Sequence, residues 1–218
     1  MIRINKLTPP HKLTAFRKYS GSIGGTQGYY ELDTDTKNDL RLHLLEETQF
    51  RCAYCMQLLT LRSTIIEHIK PYSILTKMES TDYNNLVINC KTTNTPHKYL
   101  KSCSDHKSDA ILNKVNHLLF SDIEDHISYR YSGEIYSFDP DIENDLKTLN
   151  LNNPNLKENR YKVIVKTIEM IKEKRNDNNY TSKMKERYED YIRKTPFPYP
   201  GVVIALFKKW LMLFRFFI

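Results

Sequence analysis

No secretory signal is expected from the opening residues. The opening, MIRINKLTPPHKL, carries basic residues but no hydrophobic stretch of the kind a secretory signal needs, so export is not expected. An uninterrupted apolar run of the roughly 20 residues that a spanning helix requires is missing too. The nearest candidate, PGVVIALFKKWLMLFRFFI, is broken by Lys208 and Lys209 and by Arg215, and a lysine pair in mid-bilayer is costly. That stretch reads as a helix docked on the domain or on a partner protein, not as a membrane anchor. No internal repeat or low-complexity tract stands out, which leaves one domain of moderate size, or a small catalytic unit with helical additions, for 218 residues. Acid is in short supply: 26 Asp and Glu face 33 Lys and Arg, for a net charge of +7. Such a balance favours long-range attraction to polyanions, of which nucleic acid is the commonest. Cysteine is scarce as well. The four present are expected in a reducing cytoplasm, where metal binding is favoured over disulfides.

What is present suffices for a core, since hydrophobic residues make up 40% of the chain. The 15 tyrosines can stack on bases, but most are expected in the core and at its rim. Residues 1–33 read as irregular, because Pro9-Pro10 and then Gly21, Gly24, Gly25 and Gly28 interrupt any regular element. Thr36 and Asp39 resemble a capping box, and Leu40, Leu44 and Leu45 mark a helical stripe running toward Phe50. Residues 57–69 predict a short β-hairpin ending at Pro71, which cannot continue a central strand. A helix is expected from Ser104, with Ile111, Leu112, Val115, Leu118 and Leu119 on one face. Ser132-Gly133 turns a second hairpin between 127–131 and 134–138. Helices follow at 157–174, 182–194 and 201–217, separated by Asn-rich and Pro-rich breaks near 150–159, 176–179 and 196–200. The layout is α+β. It divides into an N-terminal arm and helix at 1–50, a core at 51–120, and a hairpin with helical extension at 121–218, forming one compact unit overall.

The chemistry concentrates between 51 and 107. Cys52-x-x-Cys55 is half of a zinc site, since thiolates at that spacing reach one tetrahedral ion from a single turn. The two remaining cysteines, Cys90 and Cys103, lie downstream and would complete four vertices, with His97 or His106 able to replace one of them. Buried cysteines without a ligand are the plain alternative. Between the two halves runs Glu67-His68-Ile69-Lys70-Pro71. An imidazole at a strand end, with an ordinary pKa near 6.5, can take a proton from water at neutral pH. A nearby hard divalent cation, magnesium or similar, would stabilise charge developing on a phosphate. Asn85 would fix the loop that orients the histidine, or serve only as a turn residue beside Asn84. The ligand for the second cation comes from Asp105 or His106, with Asn94 in reserve. Glu67 could add its carboxylate or simply face water, and Lys107 could meet phosphate or solvent.

These residues resemble the PtuB group of HNH nucleases, the nuclease half of Septu-type and retron-associated anti-phage systems. The likeness rests on Arg51-Cys52-Ala53-Tyr54-Cys55, on Glu67-His68-Ile69-Lys70-Pro71, on Asn85-Leu86 leading to Cys90, and on Cys103 with Lys107 as a long-insert second knuckle. Leu149-Asn150-Leu151-Asn152 with Pro154, Leu156 and Arg160, and Pro196-Phe197-Pro198 before the last helix, extend it downstream. Two departures stand out: Ser108 replaces a glycine, and no second Cys-x-x-Cys is present. The resemblance implies a ββα-metal core with structural zinc and a catalytic divalent cation. It also implies a nucleic-acid substrate, DNA foremost, and a PtuA-type ATPase in a hetero-oligomer. The last helix and the apolar side of the 104–120 helix would be its docking faces. A zinc-stabilised nucleic-acid-binding or interaction subunit with a decayed nuclease site is the competing reading.

Overall fold

The computed structural model describes residues 1–92, 97–175, 186, 189–190 and 192–214. It is a mixed α+β arrangement with two small antiparallel sheets. The first element is a helix where the glycines and prolines suggested irregular chain: α1 spans His11–Ser22. Pro10 stands just ahead of it, where its missing N–H costs nothing. α1 has a weak apolar stripe, with Leu13 fully buried and Phe16 packed on the core, which hides it from periodicity. α2 covers Thr34–Glu47 and buries Leu40, Leu44 and Leu45. Its cap lies ahead of the expected one. Asp33 accepts the Thr36 N–H at 2.7 Å, and the Thr36 hydroxyl donates back to the same carboxylate at 3.0 Å.

The hairpin expected within 57–69 does not form. Residue 58 makes only a single bridge to Arg51. β1, Thr64–His68, instead pairs antiparallel with β2, Leu86–Cys90, in a register running from Thr64 opposite Cys90 to His68 opposite Leu86. The strands are joined by a loop holding three single 3₁₀ turns, Tyr72–Ile74, Glu79–Thr81 and Tyr83–Asn85. β2 is buried along its whole length, so a near-continuous apolar run replaces alternation.

The long helix expected from Ser104 is also corrected. α3 is one turn, Ser104–Lys107, and α4 is another, Val115–Leu118. Between them Ser108 takes φ 51°, and Ile111 turns out to solvent. The break has a clear cause in Asp145. Its buried carboxylate accepts the N–H groups of Asn113, Lys114 and Val115 at 2.7, 2.8 and 2.9 Å, capping α4 from a distant element.

After α5, Ile123–His126, the second hairpin forms as expected but shorter, as β3 Ser128–Tyr129 and β4 Ile135–Tyr136. α6 runs Pro140–Thr148 and α7 Pro154–Arg175, the latter starting inside the Asn-rich patch. The helix expected at 182–194 falls largely outside the described residues. α8, Pro200–Phe214, packs on α7 and buries Val202, Val203, Ile204 and Phe207. Of the two faces expected to meet a partner, the first two turns of the last helix pack on α7, and the 104–120 face is not one continuous helix. None of the described helices is long and apolar enough to cross a membrane.

A single apolar cluster runs from Met1 through α2, the β1–β2 hairpin and α6 to Ile204. Two buried arginines tie the tail to the hairpin region. Arg51 donates to the carbonyls of Thr48, Ile192 and Arg193 at 2.8–3.1 Å. Arg160 donates to Gly133 O at 2.6 Å, Leu151 O at 2.7 Å and Asn152 Oδ1 at 3.1 Å. The recurring Asn segment is thus a clip, since Asn152 also brackets both backbone groups of Ile135.

Candidate functional site

The Cys52–Cys55 knuckle is closed by its own backbone. Met56 N–H reaches Cys52 O at 3.0 Å, and Ala53 N–H fastens the turn to Ile88 O in β2. Cys90 ends β2. Cys103 arrives from the far side of a loop, at φ 55°, with its N–H on Leu149 O at 2.8 Å. Asn150 Nδ2 holds the approach by donating to Tyr99 O and Lys101 O at 2.9 and 2.7 Å. The α6–α7 connection thus supplies the order that a second Cys-x-x-Cys turn would have given.

All four thiols are free, buried and mutually within 4.8 Å. Cys52 and Cys103 sulfurs stand 3.6 Å apart, and Cys55 and Cys90 sulfurs 3.8 Å. Four sulfurs about 2.3 Å from one tetrahedral ion lie about 3.8 Å apart, whereas a disulfide needs about 2.05 Å. The donor set therefore fits a structural metal such as zinc. Without a cation the four cannot all ionise. Burial and the neighbouring sulfurs push the Cys103 thiol well up. Burial works the same way on Cys52, but hydrogen bonds from Cys103, Cys55 and Cys90 outweigh it and hold that thiol below its ordinary range. His97 is exposed and stacked on Tyr99, and His106 bonds Thr148 O at 2.9 Å through Nδ1, so neither histidine joins the cluster.

His68 closes β1, and its ring is nearly buried, at 9% exposure. Nε2 lies 2.8 Å from Ser80 O. A carbonyl only accepts, so Nε2 carries the proton and the lone pair sits on Nδ1. Tyr29 and Tyr72 meet the ring edge-on at 4.9 and 5.3 Å. Burial lowers the imidazole pKa from its ordinary value, against the Ser80 hydrogen bond, which raises it. Asn85 does not touch the ring. Its Oδ1 accepts Lys70 N–H at 2.8 Å, its Nδ2 donates to Lys70 O at 3.3 Å, and its carbonyl accepts Ile69 N–H at 2.9 Å. It brackets the backbone of the chain that leaves the histidine.

Successive strand residues face opposite ways. Glu67 accordingly meets α3, where Lys107 Nζ sits 2.7 Å from its carboxylate with the lysine side chain 1% exposed. Burial raises the Glu67 pKa, opposed by that ammonium. Asp105 accepts the Thr92 hydroxyl at 2.8 Å and the Thr92 N–H. Asn94 lies outside the described residues. Among those described, the four thiols are the one group of three or more metal-capable side chains whose ligand atoms converge. As they stand, Glu67, Asp105 and His106 do not fit a second cation: an ammonium holds the first, and the other two are turned to Thr92 and Thr148.

Sequence reasoning missed Tyr29, Tyr72 and Ser80 around the imidazole. Only the abundance of tyrosine hinted at the first two, and Ser80 contributes a carbonyl that any residue carries. It also missed Ser104, whose buried hydroxyl has no hydrogen-bond partner among the described residues one turn before Lys107.

The features define a mixed α+β protein with a buried four-cysteine centre able to hold a structural metal such as zinc. No family of known proteins matches the chain, and a search of characterised proteins likewise gives no match.

Proposed function

We propose that the chain is an endonuclease of the HNH kind, in which His68 takes a proton from a water molecule that attacks a nucleic-acid phosphodiester, DNA foremost. In this reading β1, β2 and the single turn of α3 form the ββα unit, and the four thiolates hold a zinc that supplies cross-linking and no chemistry. The observation that carries the reading is the fixed tautomer of His68. Ser80 O occupies Nε2, leaving Nδ1 as the basic nitrogen, and burial keeps the ring neutral at pH 7. The proton moves from water to Nδ1, the new hydroxide bonds to phosphorus, and the P–O bond to the leaving oxygen breaks. No step is assigned to a second metal.

The test is nicking of plasmid DNA by the zinc-loaded protein and by His68→Ala, with and without added magnesium or manganese. The wild type is expected to cut, and the variant to lose at least the 10²- to 10⁴-fold that general base catalysis typically contributes, about 3–5 kcal/mol. Equal cutting by both would end this reading.

A second reading is favoured by the buried Glu67–Lys107 pair and by the turned-away Asp105 and His106. It is a zinc-stabilised nucleic-acid-binding or interaction subunit whose nuclease site has decayed. Salt-sensitive binding without cleavage under any divalent metal supports it. The PtuA-type ATPase partner and the defence role rest on the resemblance alone, and co-purification with such an ATPase is their test.

A further inference from the structure

Beside His68 lies a feature that proton transfer does not use. Tyr72 packs edge-on against the imidazole, and Tyr30 packs against Tyr72 with ring centroids 4.6 Å apart. Tyr29 fills the other side of the histidine and touches Tyr30 at 5.9 Å. Exposure rises along this row, from the nearly buried imidazole through half-buried Tyr29 and Tyr72 to Tyr30, which is 66% exposed. A tyrosine so open contributes little to the core, yet the backbone that presents it is built with care. Gly28 approaches so closely that a Cβ there would stand 2.7 Å from Ser80 Oγ and 2.9 Å from Lys77 O. Tyr29 N–H then donates to Ser80 Oγ at 2.9 Å. The residue whose carbonyl fixes the histidine tautomer thus also seats the turn carrying Tyr29 and Tyr30.

Two cations near the row have no ion-pair partner among the described residues. Lys37 Nζ bonds Tyr30 O at 3.0 Å, and Arg41 Nη1 bonds Asn38 Oδ1 at 2.9 Å. Neither has an acidic partner among the described residues, whereas Lys70 and Lys77 are paired with Glu79 and Glu31. An exposed ring stepping down to a candidate base, with two cations outside any ion pair nearby, suits a single strand. Each unpaired base offers a π-face to an aromatic ring, while the bases of a duplex are already stacked on one another.

We propose that Tyr30 and Tyr72 form a stacking platform for an unpaired nucleobase beside His68, with Lys37 and Arg41 on the adjoining phosphates, so that an unpaired strand is engaged in preference to a duplex. This rests on the nuclease reading only for what happens afterwards, because the binding claim stands separately from cleavage.

The experiment uses the full zinc-loaded chain in the His68→Ala background, so that nothing is cut. Fluorescence anisotropy follows one labelled oligonucleotide as single-stranded DNA, as single-stranded RNA of the same sequence, and as a DNA duplex. At least one single strand is expected to bind tighter than the duplex, and the two single-strand arms show whether the sugar matters. Tyr30→Ala is expected to weaken that binding on the order of ten-fold, the loss of about one stacked base, and Tyr30→Phe to restore it. Lys37→Gln is expected to flatten the salt dependence. Because Tyr30 is exposed, its variants should fold, which unchanged circular dichroism and zinc content verify. Duplex binding equal to or tighter than both single strands, or a Tyr30→Ala protein that binds like its parent, overturns the proposal. If wild type cuts nothing while the Tyr30 dependence persists, the nuclease reading falls and the platform stands.

Discussion

In the proposed nuclease reading, His68 needs few neighbours to serve as a specific base. One carbonyl, Ser80 O, decides which ring nitrogen holds the proton, and two tyrosine edges hold the ring in place. Burial disfavours the imidazolium, so the pKa falls below the ordinary 6.5. The sign follows directly. A base works unprotonated, so cleavage should hold steady at neutral pH and decline only as pH drops through a value below 6.5. A pH profile of single-turnover cleavage checks this, and an acid limb centred above 6.5 would contradict it. The histidine and the Asn85 clamp were readable from Glu67-His68-x-x-Pro71 and Asn85-Leu86, because those motifs place functional groups by local geometry. The tyrosines were not, since Tyr29 meets His68 from 39 positions away in the chain. Nothing local marks such a contact.

At the scale of elements, what was legible depended on whether a segment's order comes from itself. α2 announces itself through its leucine stripe, and the second hairpin through Ser132-Gly133. Gly133 sits at φ 82°, and a Cβ there would come within 2.0 Å of Lys157 O in α7. Gly133→Ala therefore meets both a strained backbone and rigid main chain. It should lower stability by more than the roughly 1 kcal/mol that an open left-handed position costs, and thermal denaturation with circular dichroism measures it. The break between α3 and α4 had no such local sign. Leu112, Val115 and Leu119 do keep a helical spacing, but the Asp145 carboxylate takes the N–H groups that helix continuation would have used. A capping residue over thirty positions away is invisible to periodicity. β1 was likewise given the wrong partner, because a loop long enough to hold three turns separates it from β2.

At the largest scale, the described residues are tied together by contacts that reach across the chain. Arg51 and Arg160 join the cysteine region and the hairpin to the tail, and the main apolar cluster spans from Met1 to Ile204. A fragment limited to residues 51–120 would keep all four cysteines yet lose Leu149, Asn150 and the buried arginine contacts. We expect it to bind zinc weakly and to show no cooperative unfolding. The full chain should carry one zinc per molecule and lose much of its structure to a strong chelator, since structural zinc contributes on the order of 10 kcal/mol to small metal-held folds. Metal analysis and circular dichroism of both proteins decide the matter. A fragment that folds and holds zinc like the full chain would show that the tail is dispensable.

The anchoring of Cys103 on Leu149 O carries a consequence for biosynthesis. During translation all four thiols are made well before Leu149, whose carbonyl settles the fourth, so the nascent chain carries an unfinished four-thiol site until then. Should those thiols hold zinc, full metallation would wait until residue 149 has cleared the exit tunnel, and a cell short of zinc would accumulate newly made copies open to proteases rather than finished protein lacking metal.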